Sequence, residues 1–513
     1  MIKPPISYEV GGSAYPLEIW KYYSRGEIMK GNDYQKQRIY ADLTQNLNYI
    51  KKITGHSTDI LVNEFVTGGI KCAFICCDGM LSSRAAADMV LAPITDLPEQ
   101  ANAQGLFDYI QAHMLLSADR SKAENYGDLM RLIHSGFAVF IAEGTDTALA
   151  FGVQGFNTRG VQEPSGEGNI LGSHEGFSET IRTNMSLIRR RLKTPELVMK
   201  MMTKGSKSNT EICLCYMKDR VPSRLLDRIM KSLDEIDLET ILSTGYIRPF
   251  VEKKSFELFN STGLSERPDV VCSKLIEGRA IILVDGVPYG IIIPRLLCES
   301  FHTIDDYAQK PFYAVFLRWI RYGAFILSFL LPAVYTAIAM YHPELLNSTL
   351  LMLLAEEEKN APLSLLTEVF IVLIMYEVIR EAGVRLPKPV GGAVSIISGL
   401  IIGDAAVKSG LVSTPLLTIT ALSVLGGLVV PDLNPQITLL RFAFLAAGGI
   451  LGFFGISILA CAVLTNICGT EDYGFPFTAP ISPFSSKGMG DTLFRMGFRK
   501  MQNRNFTVEE YHE

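Results

Sequence analysis

Hydrophobic and polar positions follow two different patterns along this chain, and the change falls near Pro311. From Tyr322 to Ala355 the only formally charged residue is Glu344. Between Pro389 and Leu440 the charges are Asp404, Lys408 and Asp432, and from Phe442 to Thr470 there is none. A helix crossing a hydrocarbon core about 30 Å thick needs about 20 apolar residues. Full spans are therefore expected at 319–340, 363–379, 411–430 and 442–465. The apolar pieces 345–354 and 390–402 are shorter and suit re-entrant or interfacial helices, or broken spans buried among the others. Before Lys310 there is no comparable run. The pattern predicts a cytosolic α/β part followed by a polytopic α-helical membrane domain over 311–470.

Upstream of Lys310 one pattern occurs twice. The strand-like run Cys72-Ala-Phe-Ile-Cys-Cys77 leads into Ser83-Arg84, which opens a helix through Val90. Ile212-Cys-Leu-Cys-Tyr-Met217 leads into Ser223-Arg224, which opens a helix through Met230, at an offset of 140 residues. Each is followed by a hairpin: Gly136 to Gly144 before Ala148 to Val153, and Gly278 to Gly286 before Tyr289 to Ile293, at an offset of 142. Glu-Gly and Asp-Gly between apolar, β-prone runs are turn signals. The prediction is two similar β-α-β-β subdomains, over 41–165 and 206–310, after a loosely ordered tail at 1–40. Residues 166–205 are expected to form amphipathic basic linker helices, and 471–513 a cytosolic C-terminal tail.

Within that linker, Phe177, Ile181, Met185 and Ile188 recur at helical spacing. Ser173, Glu175 and Gly176 look like its N-terminal capping region. Three arginines, Arg189, Arg190 and Arg191, end the helix. Cations there are favourable in water alone, and the sharper expectation is a contact with membrane lipid phosphates or a neighbouring subunit.

Charge decides the orientation. Lys310, Arg318 and Arg321 precede the first span; Arg380, Arg385 and Lys388 follow the second; Lys487, Arg495, Arg499 and Lys500 follow the last; the loop after the first span carries Glu356-Glu-Glu358. By the positive-inside bias both termini are cytoplasmic. No apolar signal segment opens the chain. The net charge of −5 argues against nucleic acid as a partner. Cys72, Cys76, Cys77, Cys213 and Cys215 read as reduced core thiols, and no cysteine or histidine spacing suggests a metal or other cofactor. No nucleotide loop or catalytic constellation can be assembled, so the chain is not expected to be an enzyme. Glu368 and Glu377 lie inside the second span, where a carboxylate is a functional candidate. They are pore or gating candidates on opposite sides of one helix, Glu377 with Arg380 or Arg321 as partners and Glu368 as the pore side.

Longer motifs carry a resemblance. They include Glu175-Gly-Phe, Asn184 and Leu187-Ile-Arg-Arg-Arg191; Glu266-Arg-Pro-Asp269 and Glu277-Gly-Arg279; Val284-Asp-Gly-Val-Pro288 and Asp305-Asp-Tyr307; then Arg380-Glu-Ala-Gly-Val-Arg-Leu-Pro387, Pro389-Val-Gly391 and Gly474-Phe-Pro-Phe477. With these the chain resembles the A subunits of GerA-type spore germination receptors over about 40–485, and equally a relative encoded with the spore dipicolinate-release genes. His174, Gly392 and Asp404 depart from the usual pattern of that family. The resemblance implies a multi-pass protein of the spore inner membrane. It further implies a homo-oligomer, a pentameric ring, around a nutrient-gated cation channel, working with a transporter-like B subunit and a lipoprotein C subunit. Residue chemistry alone leaves a secondary transporter or a membrane signalling scaffold as alternatives.

Overall fold

The computed structural model of the chain describes residues 34–87, 94, 103–113, 120–155, 164, 166–168, 171–252, 257–360, 362–385, 405–409, 412–485, 488–497 and 499. The expected apolar piece 390–402, most of the expected N-terminal tail and the last residues of the C-terminal tail lie outside them.

The apolar runs of the soluble half are central strands with both faces covered. In β2 (Ile70–Cys77) every residue from Cys72 onward is buried. Successive side chains of a strand point to opposite faces. Cys72, Phe74 and Cys76 accordingly pack on Leu106 and Phe107 of one layer. Ala73, Ile75 and Cys77 pack on Leu47, Ile50, Leu129 and Ile133 of the other. The covering helices are α1 (Leu43–Ile53) and α4 (Tyr126–Ile133) on one face and α3 (Ala103–His113) on the other, with the short α2 (Ser83–Ala86) after β2. The strand β7 (Thr210–Met217) repeats this arrangement. Ile212, Leu214 and Tyr216 meet Leu225 and Ile229 of α6 (Ser223–Asp234). Cys213 and Cys215 meet Ile188 of α5 (Ile181–Arg191) and Val271 of α7 (Pro268–Ile276).

The first sheet has the order β1-β2-β4-β5-β3, with β1 at Ile60–Thr67, β3 at Arg120–Ala123, β4 at Ala138–Ala142 and β5 at Ala148–Phe151. The second has the order β6-β7-β9-β10-β8, with β6 at Leu197–Lys204, β8 at Gly263–Ser265, β9 at Ala280–Val284 and β10 at Gly290–Ile293. The strands around 72–77 and 212–217 thus hold the same place. Their registers agree as well, with Cys72 opposite Ala142 and Ile212 opposite Val284. At both acid-Gly hairpin turns the glycine has positive φ, 89° at Gly144 and 83° at Gly286.

Two expectations are corrected here. Leu197–Lys204 is a strand, not part of a linker helix. It pairs with β7 from Leu197↔Met217 to Lys204↔Thr210, so the second sheet begins before residue 206. The helix α5 starts at Ile181, and its first free N–H is taken by Asp285 Oδ1 at 3.0 Å, from the β9–β10 turn, with no cap from Ser173.

The C-terminal part is helical: α8 (Pro311–Tyr341), α9 (Ser348–Asn360), α10 (Leu365–Arg385), α11 (Thr414–Leu428) and α12 (Asn434–Gly469). Two stretches, Pro311–Tyr341 and Pro431–Gly469, are long and apolar enough to cross a membrane. The second is no single rod. Gly452 has φ 59° and ψ −145°, which is not helical, and the chain reverses there. A Cβ on Gly455 would lie 2.3 Å from the carbonyl of Ala447, eight residues back. Eight residues along one helix would separate them by about 12 Å. The ends agree with a reversal. Asp432, just before the first arm, bonds Arg295 at 2.5 Å. Asp472, just after the second, takes the hydroxyl of Ser261, whose carbonyl accepts the Arg295 N–H. The expected span 442–465 is therefore the middle of a helical hairpin with arms of roughly 26 Å. The carbonyls of Gly449 and Ile450, beside the reversal, accept the Tyr341 hydroxyl at 2.9 and 2.8 Å.

Gly452→Ala should cost about 1–3 kcal/mol, because this φ,ψ combination is open essentially to glycine and the added Cβ would meet the Tyr341 ring at 3.3 Å. A lowered thermal midpoint of the full chain in detergent checks this, and an unchanged midpoint would contradict the hairpin.

Candidate functional site

Three polar seams join the parts of this molecule. The first lies between the two sheets. Arg189, in the last turn of α5, is 1% exposed. Its Nε donates to Asp59 Oδ2 at 2.8 Å and its Nη2 to Asp59 Oδ1 at 3.0 Å, a two-point pairing with the strand-entry loop of the first sheet. The same guanidinium donates to the carbonyls of Thr194 at 2.8 Å and Leu197 at 2.9 Å, at the start of the second sheet. Two further bonds run beside it, from Thr58 N–H to the Met199 carbonyl at 2.9 Å and from Met199 N–H to the side-chain Oγ of Ser57 at 2.8 Å. Burial opposes ionisation of Asp59, but Arg189 holds its carboxyl below the usual range.

The expectation that Arg189, Arg190 and Arg191 meet lipid or another subunit is corrected for Arg189, which is interior and has its donors occupied. Arg190 pairs with Glu175, and Arg191 reaches Glu175 at 2.6 Å and Ser173 Oγ at 3.0 Å. Glu175, offered by the sequence as part of a cap, serves as counter-charge to the helix end.

Near this seam His134 is fully buried, and both ring nitrogens lack a hydrogen-bond partner among the described residues. Burial first, and the Arg189 charge second, push its pKa down to about 3.

The second seam joins the second sheet's subdomain to the start of α8. Asp306 is buried and binds Arg321 Nη1 at 2.7 Å and Arg318 Nε at 3.2 Å. Arg318, itself fully buried, extends to Asp491 at 3.1 Å and to the carbonyls of Asp491 and Thr492. Tyr307 gives its hydroxyl to Asp491 at 2.8 Å, and Arg495 takes the carbonyls of Gln309 and Tyr307. The segment after the hairpin is thus wrapped around the entry to the first long helix. Arg321, expected as a partner for Glu377, is committed to Asp306.

The third seam lies within the helices. Glu368 is 2% exposed, in the first turn of α10, and its Oε1 accepts the Ser413 N–H at 2.5 Å. It satisfies a donor at the start of α11, where helices leave N–H groups free and favour negative charge. Glu377 pairs with Arg380 at 2.5 Å and lies 3.6 Å from Arg441. Arg441 was not singled out by the sequence, where it only bounds an apolar run. It is 1% exposed and donates to the Ser328 carbonyl at 2.8 Å and the Ser423 carbonyl at 3.3 Å. Pro332 explains the first bond. A proline has no N–H, so the carbonyl four residues earlier in α8 has no helical partner. The hydroxyl of Ser423 shares that carbonyl at 2.6 Å. The signal in the sequence was a proline inside one apolar run and an arginine at the edge of another. Glu381 and Arg385 form a separate exposed pair at 2.6 Å.

Among the described residues no group of three histidine, cysteine or acidic side chains could hold a metal ion. Burial pushes the Cys72 thiol up to about 12 and the Cys76 thiol to about 11, which disfavours the reactive thiolate at both.

Arg189→Ala should destabilise by about 3–5 kcal/mol, since it strands Asp59 as a buried charge, whereas Arg190→Gln should cost under about 1 kcal/mol. Denaturant midpoints of the full chain check both. His134, held neutral when folded, adds stability that is whole above its unfolded pKa of 6.5 and is lost as pH falls towards about 3. His134→Leu should flatten the acid-side slope by up to about 1.4 kcal/mol per pH unit. Midpoints measured from pH 4 to 7 would show it.

Residues 48–507 match the family described as Bacillus/Clostridium GerA spore germination protein. The chain is 33% identical to spore germination protein KA of Bacillus subtilis (strain 168), over 92% of this chain and 88% of that protein. It is 30% identical to spore germination protein B1 of the same organism, over 90% of this chain and 95% of that one. The crystal structure of the N-terminal domain of the A subunit of the Bacillus megaterium spore germinant receptor GerK3 is 30% identical, covering 51% of this chain and 98% of that one with a TM-score of 0.40. With its family match running almost from end to end, the chain belongs to the GerA spore germination protein family.

Proposed function

We propose that this chain is the A-type subunit of a spore germination receptor, a multi-pass protein of the spore inner membrane that assembles with copies of itself into a ring around a cation path. It acts with a transporter-like B subunit and a lipoprotein C subunit, and both of its soluble ends face the cytoplasm. The observation that carries the reading is mechanical. The helical hairpin starts at Asp432 on Arg295 and finishes at Asp472 on Ser261, so both arms are fastened to one edge of the second sheet's subdomain. A shift of that subdomain reaches both arms at once, and through Asp306 and Arg318 it also reaches α8. A nutrient signal arriving at the soluble half has a direct route into the helices.

Within this reading the expectation of Glu368 as the pore side is revised, because its carboxylate is buried and takes the Ser413 N–H, and Glu368 and Glu377 have different tasks. Glu368 holds the start of α11 and so acts on gating, while Glu377 neutralises Arg380 and Arg441 beside the helices. A charge change repeated in every copy acts on the ion path through the summed field, without Glu377 itself lining it. The test is conductance of the full chain reconstituted in planar bilayers. Glu377→Gln should lower the preference for cations over anions several-fold, because two cations lose their counter-charge. Glu368→Gln should move the opening threshold with selectivity retained. Unaltered gating and selectivity in both variants, in protein that still assembles, would place the ion path elsewhere.

A further inference from the structure

The third seam carries a charge imbalance. Arg380 and Arg441 both turn to Glu377, and among the described residues Glu377 is the acid that pairs with either of them. Two cations against one anion leave a surplus of one positive charge. In water this would matter little. Here Arg441 is 1% exposed and Glu377 17%, in a setting of apolar helices where an uncompensated charge is costly.

The surplus has an outlet. Arg441 is fixed inward by the carbonyls of Ser328 and Ser423. Arg380 is not enclosed: its side chain is 28% exposed, and besides Glu377 it touches Thr438 Oγ1 at 3.4 Å. Thr438 stands one turn after Asn434, the residue that opens the first hairpin arm next to the Asp432–Arg295 contact. That places Arg380 about 6 Å along the arm from the end nearest the soluble half. In a bilayer this is the depth where headgroup and acyl chain meet. Exposed apolar side chains continue along both helices, with Val378 at 63% and Leu439 at 64% exposure, so the elements carrying Arg380 and Thr438 present apolar surface outward.

We propose that Arg380, backed by Arg441 across Glu377, binds the phosphate of an anionic lipid in the leaflet that faces the soluble half. The phosphate supplies the missing negative charge, and the acyl chains lie along the exposed apolar surface of the two helices. Basic pockets between helices on that side of a membrane are a recurrent way of holding anionic headgroups. A zwitterionic lipid brings its own amine and leaves the surplus uncancelled. The site rests on the membrane reading given above and assigns a ligand that reading does not contain.

The test uses the full chain in nanodiscs of phosphatidylcholine with a minor share of phosphatidylglycerol, followed by native mass spectrometry of the lipid retained after release. The wild type should keep phosphatidylglycerol in preference to phosphatidylcholine. Arg380→Gln should weaken that retention about fivefold, the usual worth of one arginine near the surface. Glu377→Gln, which raises the surplus to two, should strengthen it. Arg131→Gln, at an exposed pair with Asp128 in the first sheet's subdomain, should leave it as it was. Opposite responses of the first two variants cannot come from a general loss of fold. Equal retention of both lipids by the wild type, or no change in Arg380→Gln, overturns the proposal while the membrane reading stands. Protein that never enters the bilayer overturns the membrane reading itself. Full stabilisation of the detergent-solubilised chain by inorganic phosphate would make the ligand a free anion and overturn the lipid assignment.

Discussion

A guanidinium taken out of water needs acceptors for its N–H groups, because an unsatisfied donor or unpaired charge in a protein interior costs several kcal/mol. Among the described residues, the arginines Arg189, Arg279, Arg318 and Arg441 are among the largest fully enclosed side chains. Each takes its acceptors from more than one element. Arg189 bonds the loop before β1 and the start of β6. Arg279 sits against Glu277 and Glu299, and Arg318 against Asp306 and Asp491. Arg441 takes carbonyls from α8 and α11. The relative position of these elements is thereby restricted to arrangements that feed each arginine.

The result is a chain of fastenings that runs from the first sheet to the helices. The apolar layers on either face of β2 and β7 supply the bulk of the burial, but apolar attraction is non-directional, whereas bidentate ion pairs fix a geometry. Around Glu299 the contacts are tight enough that Arg279 and Lys274 hold its carboxyl well below the usual range, despite a burial that opposes ionisation. At the helical end the fastening is built from a defect. Pro332 removes one backbone donor from α8, and the freed Ser328 carbonyl becomes the anchor for Arg441 and for Ser423.

The hairpin of α12 shows the limits of hydropathy as a guide. A long apolar run with no charge is equally compatible with one tilted span and with two short arms, since composition has no direction. What separates them is a single backbone conformation at Gly452 and the close approach that Gly448 and Gly455 permit, where a Cβ would meet the carbonyls of Ala333 at 2.7 Å and Ala447 at 2.3 Å. Small residues at such spacing commonly aid helix contact. The larger effect of these glycines is to let the chain turn back on itself.

By itself the sequence determined what depends on local pattern. Apolar runs and turn chemistry placed the central strands and both acid-Gly hairpins, the offsets of 140 and 142 residues marked two similar subdomains, and the longer apolar runs located α8, α10 and α11. The long motifs pointed to the family. Tertiary structure alone decided what depends on partners distant in the chain. Leu197–Lys204 looks like a continuation of a basic linker until β7 lies beside it, because an edge strand's identity comes from its neighbour. Asp285 caps α5 from 104 residues away, which no local capping signal can announce. The three arginines at 189–191 are identical in sequence and opposite in fate, since a helix turns about 100° per residue and only Arg189 is carried onto the seam. Glu368 and Arg441 acquire their roles from Ser413 and Ser328, and those meetings exist only once the helices are packed.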